Sequence, residues 1–249
     1  MAHRTVALAG LAIGIILAVF IISGAIPQDP GYHEFSDTRP LFGIANFWNV
    51  ASNLPFLIVG AAGLVYVHRY STEVCVTGLE TAYRVFFIGI LLTAFGSAYY
   101  HLAPANETLV WDRLPMTIGF SALITIIVAE FVSPRVARRL LVPLLIAGFA
   151  SVEYWAWTEA RGVGDLRPYA IVQFLPMLLI PIILLSHRPL LGNTSYYWWM
   201  LFWYVLAKFF ENFDAALFEL GFLISGHSIK HVAAAMTPAV FLYSLSQRR

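Results

Sequence analysis

Arg84-Val85-Phe86-Phe87-Ile88-Gly89-Ile90-Leu91-Leu92-Thr93-Ala94-Phe95-Gly96-Ser97-Ala98-Tyr99-Tyr100-His101 decides the fold of this chain. No Asp, Glu, Lys or Arg follows Arg84 in that run. As a helix it would rise about 27 Å, close to the hydrocarbon thickness of a bilayer. Its length and apolarity therefore predict a membrane-crossing helix, with every backbone group bonded internally. The run ends in a polar pair. Ser97 and His101 stand four apart, so a helix stacks them on one face, and Asp112 follows eleven residues after the histidine.

The rest of the chain has the same character. Its 249 residues are 59% hydrophobic and 12% charged, with a mean hydropathy of +0.74. A soluble domain of that composition would lack polar surface, so a membrane protein is expected. Apolar windows of spanning length run from Thr5 to Ile26, Asn46 to Val67, Arg84 to His101, Arg113 to Val132, Arg139 to Trp157, Pro168 to Ser186, Ser195 to Glu211 and His227 to Ser246. The expected fold class is all-α, a polytopic membrane helix bundle. The first window opens on His3-Arg4, and its apolar run exceeds the roughly 7 to 15 residues of a signal-peptide core, which favours a retained helix over a cleaved signal.

Arg4, Arg69, Arg84, Arg135, Arg138, Arg139, Arg188, Arg248 and Arg249 fall on one side of this eight-span arrangement. Arg39, Arg113, Arg161 and Arg167 fall on the other. The positive-inside rule makes the first side, with both termini, cytoplasmic. Cys75 is the only cysteine, so no intrachain disulfide can form. A net charge of +1 gives no footprint for a nucleic-acid partner.

Between the first two windows, Gln28 to Ile44 carries Asp29, His33, Glu34, Asp37 and Arg39 and is expected to be a solvated loop outside the membrane. Asn46, Asn49 and Asn53 recur at helical spacing in the second window and must find hydrogen-bond partners there. Pro176 and Pro181 predict a kink in the sixth. Lys208 and Glu211, three apart, are expected to pair. The stretch Ala215 to Gly226 is apolar but too short to cross and reads as an interfacial piece.

Two histidines stand four apart in Gly226-His227-Ser228-Ile229-Lys230-His231. Four crossings separate Asp112 from His227, so His101, Asp112 and His227 emerge on one membrane face whichever way the chain is inserted. Three neutral imidazoles around a zinc ion leave a fourth position for water, the arrangement of a catalytic site. Asp112 is then in a position to accept a proton and return it to a leaving nitrogen. Ser97, one turn before His101, could donate a hydrogen bond to a developing oxyanion. Packing is the competing reading for an isolated histidine pair.

The motifs Phe47-Trp48-Asn49-Val50-Ala51-Ser52-Asn53-Leu54, Gly96-Ser97-x-x-x-His101, Asp112-x-Leu114-Pro115-Met116 and Gly226-His227-x-x-x-His231 together resemble the alkaline ceramidases, in a wider superfamily of seven-helix membrane hydrolases that includes the adiponectin receptors. The resemblance runs from about residue 32 to the C-terminus. It implies a seven-helix hydrolase domain over residues 28–249, preceded at 1–27 by an extra N-terminal transmembrane helix or uncleaved anchor. It also implies zinc on His101, His227 and His231, water activation by Asp112, oxyanion stabilisation by Ser97, and hydrolysis of ceramide to a sphingoid base and a fatty acid.

The animal enzymes add a calcium site, built from an Asp-Trp-Cys-Glu-type segment and a Glu before Phe-Trp-Asn. Here Tyr32-His33-Glu34-Phe35-Ser36-Asp37 and Asn46 occupy those places, leaving Glu34, Asp37, Asn46 and Asn49 as a reduced calcium set or as supports of the zinc ligands. A lipid substrate within the membrane is the expected partner. The alternatives are a receptor or sensor with a structural metal, and an ion or proton transporter using Glu153, Lys208, Glu211 and Asp214.

Overall fold

Glycine sets the tightest contact in the bundle, between α4 (Glu80–Leu102) and α5 (Asn106–Ile127). A Cβ on Gly89 would lie 2.7 Å from the backbone nitrogen of Gly119, and one on Gly96 would strike the carbonyl of Trp111. Without those side chains the two backbones come close enough to bring the Ser97/His101 end of α4 beside Asp112.

The chain's computed structural model describes residues 2–249 and is helical throughout, without strands among them. Before α4 come α1 (Ala2–Ile22), the short α2 (Phe47–Ala51) and α3 (Leu54–Val74). After α5 and its terminal π-turn (Val128–Val132) come α6 (Pro134–Ala137), α7 (Leu141–Glu159), α8 (Arg167–Ser186), α9 (Thr194–Asn212), α10 (Asp214–Glu219) and α11 (Gly226–Ser246). Among the described residues six helical segments are long and apolar enough to cross a membrane: Arg4–Ile22, Phe47–Val74, Glu80–Leu102, Asn106–Val132, Leu141–Glu159 and Arg167–Ser186.

α9 and α11 have 19 and 21 residues, long enough to accompany those six. They are less apolar because α9 carries Lys208 and Glu211 and α11 carries His227, Lys230 and His231. The two pack against each other, and α11 also packs on α3, so their polar side chains meet inside the bundle.

α1 rests on α8 and is pinned near both ends. The Arg4 guanidinium donates to the carbonyl of Ser186 (2.7 Å), and that of Arg167 donates to Ser23 (2.7 Å). The main apolar core, with Val67, Tyr83, Phe87, Ile126, Phe241 and Leu245, fills the end of the bundle remote from the histidines. A smaller one, with Phe35, Tyr100, Leu109, Val152, Trp155 and Tyr169, lies beside them.

Two expectations are corrected. The segment from Gln28 to Ile44 is a solvated loop only in part: most of it is exposed, Asp29, Glu34 and Arg39 included, but Phe35 and Asp37 are 8% and 1% exposed. Asp37 can be buried because it is neutralised within the segment, accepting from Arg39 Nε and Nη2 at 2.8 and 2.7 Å. The asparagines do not form one straight stripe, because Asn46 precedes α2 in a left-handed conformation (φ 48°) and a turn at Ser52-Asn53 separates α2 from α3. α8 remains one helix through Pro176 and Pro181, and non-helical angles occur in α3 at Tyr70. α10, with six residues, matches the expectation of a piece too short to cross.

Candidate metal centre and adjoining cavity

The last turn of α4 and the first two turns of α11 bring His101, His227 and His231 together. All three are buried, at 1%, 6% and 5% exposure. His101 Nε2 lies 3.2 Å from His231 Nε2 and 3.4 Å from His227 Nε2. Among the described residues this is the one group of three or more His, Cys, Asp or Glu whose ligand atoms all lie within 4.8 Å of one another. Three buried imidazoles whose ring nitrogens converge fit a zinc ion.

The surrounding residues fix the rings. Ser52 Oγ is 2.8 Å from His231 Nδ1, so the opposite nitrogen faces the cluster. Asn46 Nδ2 donates to the backbone carbonyl of His101 at 2.8 Å. Asp214 accepts from the backbone N–H of His227 (2.6 Å) and of Ser36 (3.1 Å), placing a carboxylate at the positive end of α11 and tying the N-terminal segment to it. Phe35 covers the cluster, its ring centroid 4.8 Å from that of His101 and 4.5 Å from that of His227. His33 is locked between Tyr100 Oη (2.9 Å) and Asn106 Oδ1 (3.0 Å).

A cavity of about 350 Å³ reaches this centre, with His231, Ser97 and Asp112 in its wall. Much of the wall is apolar, with Phe56, Phe86, Ile90, Met116, Phe120 and Phe174. Arg113 also reaches the wall, its guanidinium 4.1 Å from the Trp155 ring centroid and 4.8 Å from that of Tyr169, with Nη2 donating to Gln28 Oε1 at 2.6 Å. Burial pushes the nearby Tyr32 hydroxyl well above the ordinary phenol range, so it stays protonated.

The sequence pattern described as Ceramidase matches residues 41–247. This chain belongs to the ceramidase family. No curated protein matches it significantly. The match covers α2 through α11 and leaves α1 outside.

In this ceramidase-family chain the candidate calcium donors do not form an oxygen cage. Both Asp37 carboxylate oxygens are taken by Arg39, whose guanidinium holds that carboxyl below the usual range. Asn49 donates to the Asp37 carbonyl (3.0 Å) and accepts from Ser228 (2.8 Å), while Glu34 is exposed. A guanidinium already lies where a cation would have to bind, so the residues do not fit calcium. Asn46 and Asn49 instead connect the N-terminal segment to α4 and α11.

Sequence reasoning gave no role to Ser52, Phe35 or Asp214 at this centre. Ser52 was visible inside the Phe47–Leu54 motif, one position before a broken helix. The other two carry no spacing signal, since their partners are distant in the chain. Lys208 and Glu211 pair as expected (2.5 Å), and Lys230 joins them, donating to Glu211 at 2.8 Å. Glu153 is exposed on α7, outside the cavity.

Proposed function

We propose that this chain is a zinc-dependent integral-membrane amidase that hydrolyses the amide of ceramide or a related N-acyl sphingolipid to a sphingoid base and a fatty acid. One observation carries the reading: three buried imidazoles converge, and one of them, His231, lines a largely apolar cavity whose wall also holds Ser97 and Asp112. Membership of the ceramidase family supports the substrate class.

His101, His227 and His231 hold the metal, which when bound supplies Lewis-acid polarisation of the amide carbonyl and of the attacking water. Asp112 takes the proton that the water loses as its oxygen adds to the carbonyl carbon. It then gives that proton to the amide nitrogen as the C–N bond breaks. Ser97 donates a hydrogen bond to the carbonyl oxygen while negative charge builds there. The apolar walls keep the hydrocarbon chains within the bundle, and Phe35 keeps bulk water from the imidazoles. The domain division at residues 1–27 and 28–249, cytoplasmic termini and a site on the outer face belong to the same reading, on the Arg distribution given above.

Incubating purified protein with ceramides of several acyl lengths, before and after chelation and after zinc is restored, tests it. Release of fatty acid that stops on chelation and returns with zinc is the expected result. A chelator that lowers thermal stability when no lipid is cleaved would instead favour a receptor with a structural metal.

A further inference from the structure

The cavity wall carries three cations, Arg113, Lys208 and Lys230, against two carboxylates, Asp112 and Glu211. One positive charge is in surplus before any metal is counted. Arg113 is enclosed by aromatic rings, but the lysines are arranged differently. Lys208 on α9 donates to Glu211 Oε2 at 2.5 Å, and Lys230 on α11 donates to Glu211 Oε1 at 2.8 Å. Each ammonium has three N–H donors and spends one on Glu211. Both oxygens of Glu211 are thereby used, and its charge answers only one of its two partners. A surplus charge in an apolar, membrane-embedded cavity is costly unless an anion meets it.

We propose that Lys208 and Lys230, held by Glu211, form a clasp for an oxyanion on the head of the substrate. The lipid it favours is then an N-acyl lipid with a carboxylate or phosphate head. This inference rests on the amidase reading for its chemistry and adds the charge of the headgroup. The two ammoniums sit on opposite oxygens of one carboxylate, and both line the same cavity. Side-chain exposures of 38% for Lys208 and 14% for Lys230 leave both reachable.

The test compares ceramide, ceramide phosphate and an N-acyl amino acid with the same acyl chain, in the wild type, Lys208→Met and Lys208→Arg. At least one acidic lipid is expected to exceed ceramide about tenfold in kcat/KM, chiefly through KM. Which one it is distinguishes phosphate from carboxylate. The preference should fall to within about threefold in Lys208→Met and return in Lys208→Arg. Equal handling of all three lipids by the wild type, or a preference that survives Lys208→Met, overturns the clasp.

Equilibrium binding of hexadecyl phosphate and hexadecanol gives a readout free of turnover. Tighter binding of the phosphate that depends on Lys208 supports the clasp even if no lipid is cleaved, in which case the amidase reading alone fails. Ceramide cleavage with no preference, and phosphate binding indifferent to Lys208, sinks the clasp and leaves the amidase standing.

Discussion

The two ends of α5 and α11 each hold a buried polar cluster, and the clusters are built on opposite plans. At the remote end Glu130 is fully buried, and both of its carboxylate oxygens are doubly satisfied. One accepts from Tyr83 (2.5 Å) and Arg248 (2.8 Å), the other from Tyr197 (2.5 Å) and Arg248 (3.0 Å). At the near end the imidazole nitrogens face one another, His101 Nδ1 has no partner among the described residues, and a cavity opens alongside. A network whose carboxylate is saturated from three segments joins the bundle together, whereas one that presents donor atoms to open space is prepared to receive something. Burial alone does not separate the two. The destination of each lone pair and each N–H does.

The contrast is broken most severely at the near end by His231→Ala, which should remove lipid-amide cleavage entirely and abolish stoichiometric metal measured by elemental analysis. Metal retained at full stoichiometry would show that this imidazole is not a ligand. Asp112→Asn should keep the metal and lower kcat by about 10²- to 10⁴-fold, the usual contribution of a positioned acid–base group; an unchanged rate rules out Asp112 as the proton carrier. Ser97→Ala is expected to cost about 10²- to 10³-fold in kcat, the value of one oxyanion donor. A wild-type rate would make Ser97 a packing residue.

At the remote end the expected signature is reversed. Glu130→Ala leaves the Arg248 guanidinium without its counter-ion and should destabilise the fold by about 3–5 kcal/mol, read from thermal or denaturant unfolding. Turnover per folded molecule should be nearly unchanged, and a turnover defect without a stability defect would contradict the division of labour. The smallest effect concerns pH. Arg39 lowers the carboxyl of Asp37, so the stability this pair adds is complete above the ordinary Asp value of about 3.9 and is lost only as pH falls below it. Between about pH 6 and 8 the pair should leave the melting temperature flat; a slope there that vanishes in Arg39→Ala would refute this.

The apolar windows were legible because a bilayer imposes length and continuity on every crossing, and the Ser97/His101 and His227/His231 pairs because helical spacing fixes which residues share a face. Glu130 went unnoticed for the opposite reason. Its partners Tyr83, Tyr197 and Arg248 are scattered over more than half the chain, and an acid near a helix end ordinarily reads as interfacial. The N-terminal segment was misjudged because counting charges treats Asp37 and Arg39 as two demands for water, although they satisfy each other two residues apart. Asp165 and Arg167 repeat this device with contacts of 2.9 and 2.7 Å, and Arg167 likewise reaches on to a carbonyl, that of Ser23, as Arg39 does to Leu223.

Phe35 lies against two of the three imidazoles, on the segment that closes this end of the bundle. On the amidase reading, a cover in this position favours a lipid that enters sideways from the leaflet over one that descends from the aqueous phase. Its supply is then governed by mole fraction among its neighbours rather than by bulk concentration, and diluting it with inert detergent should slow the reaction even when the total amount is unchanged.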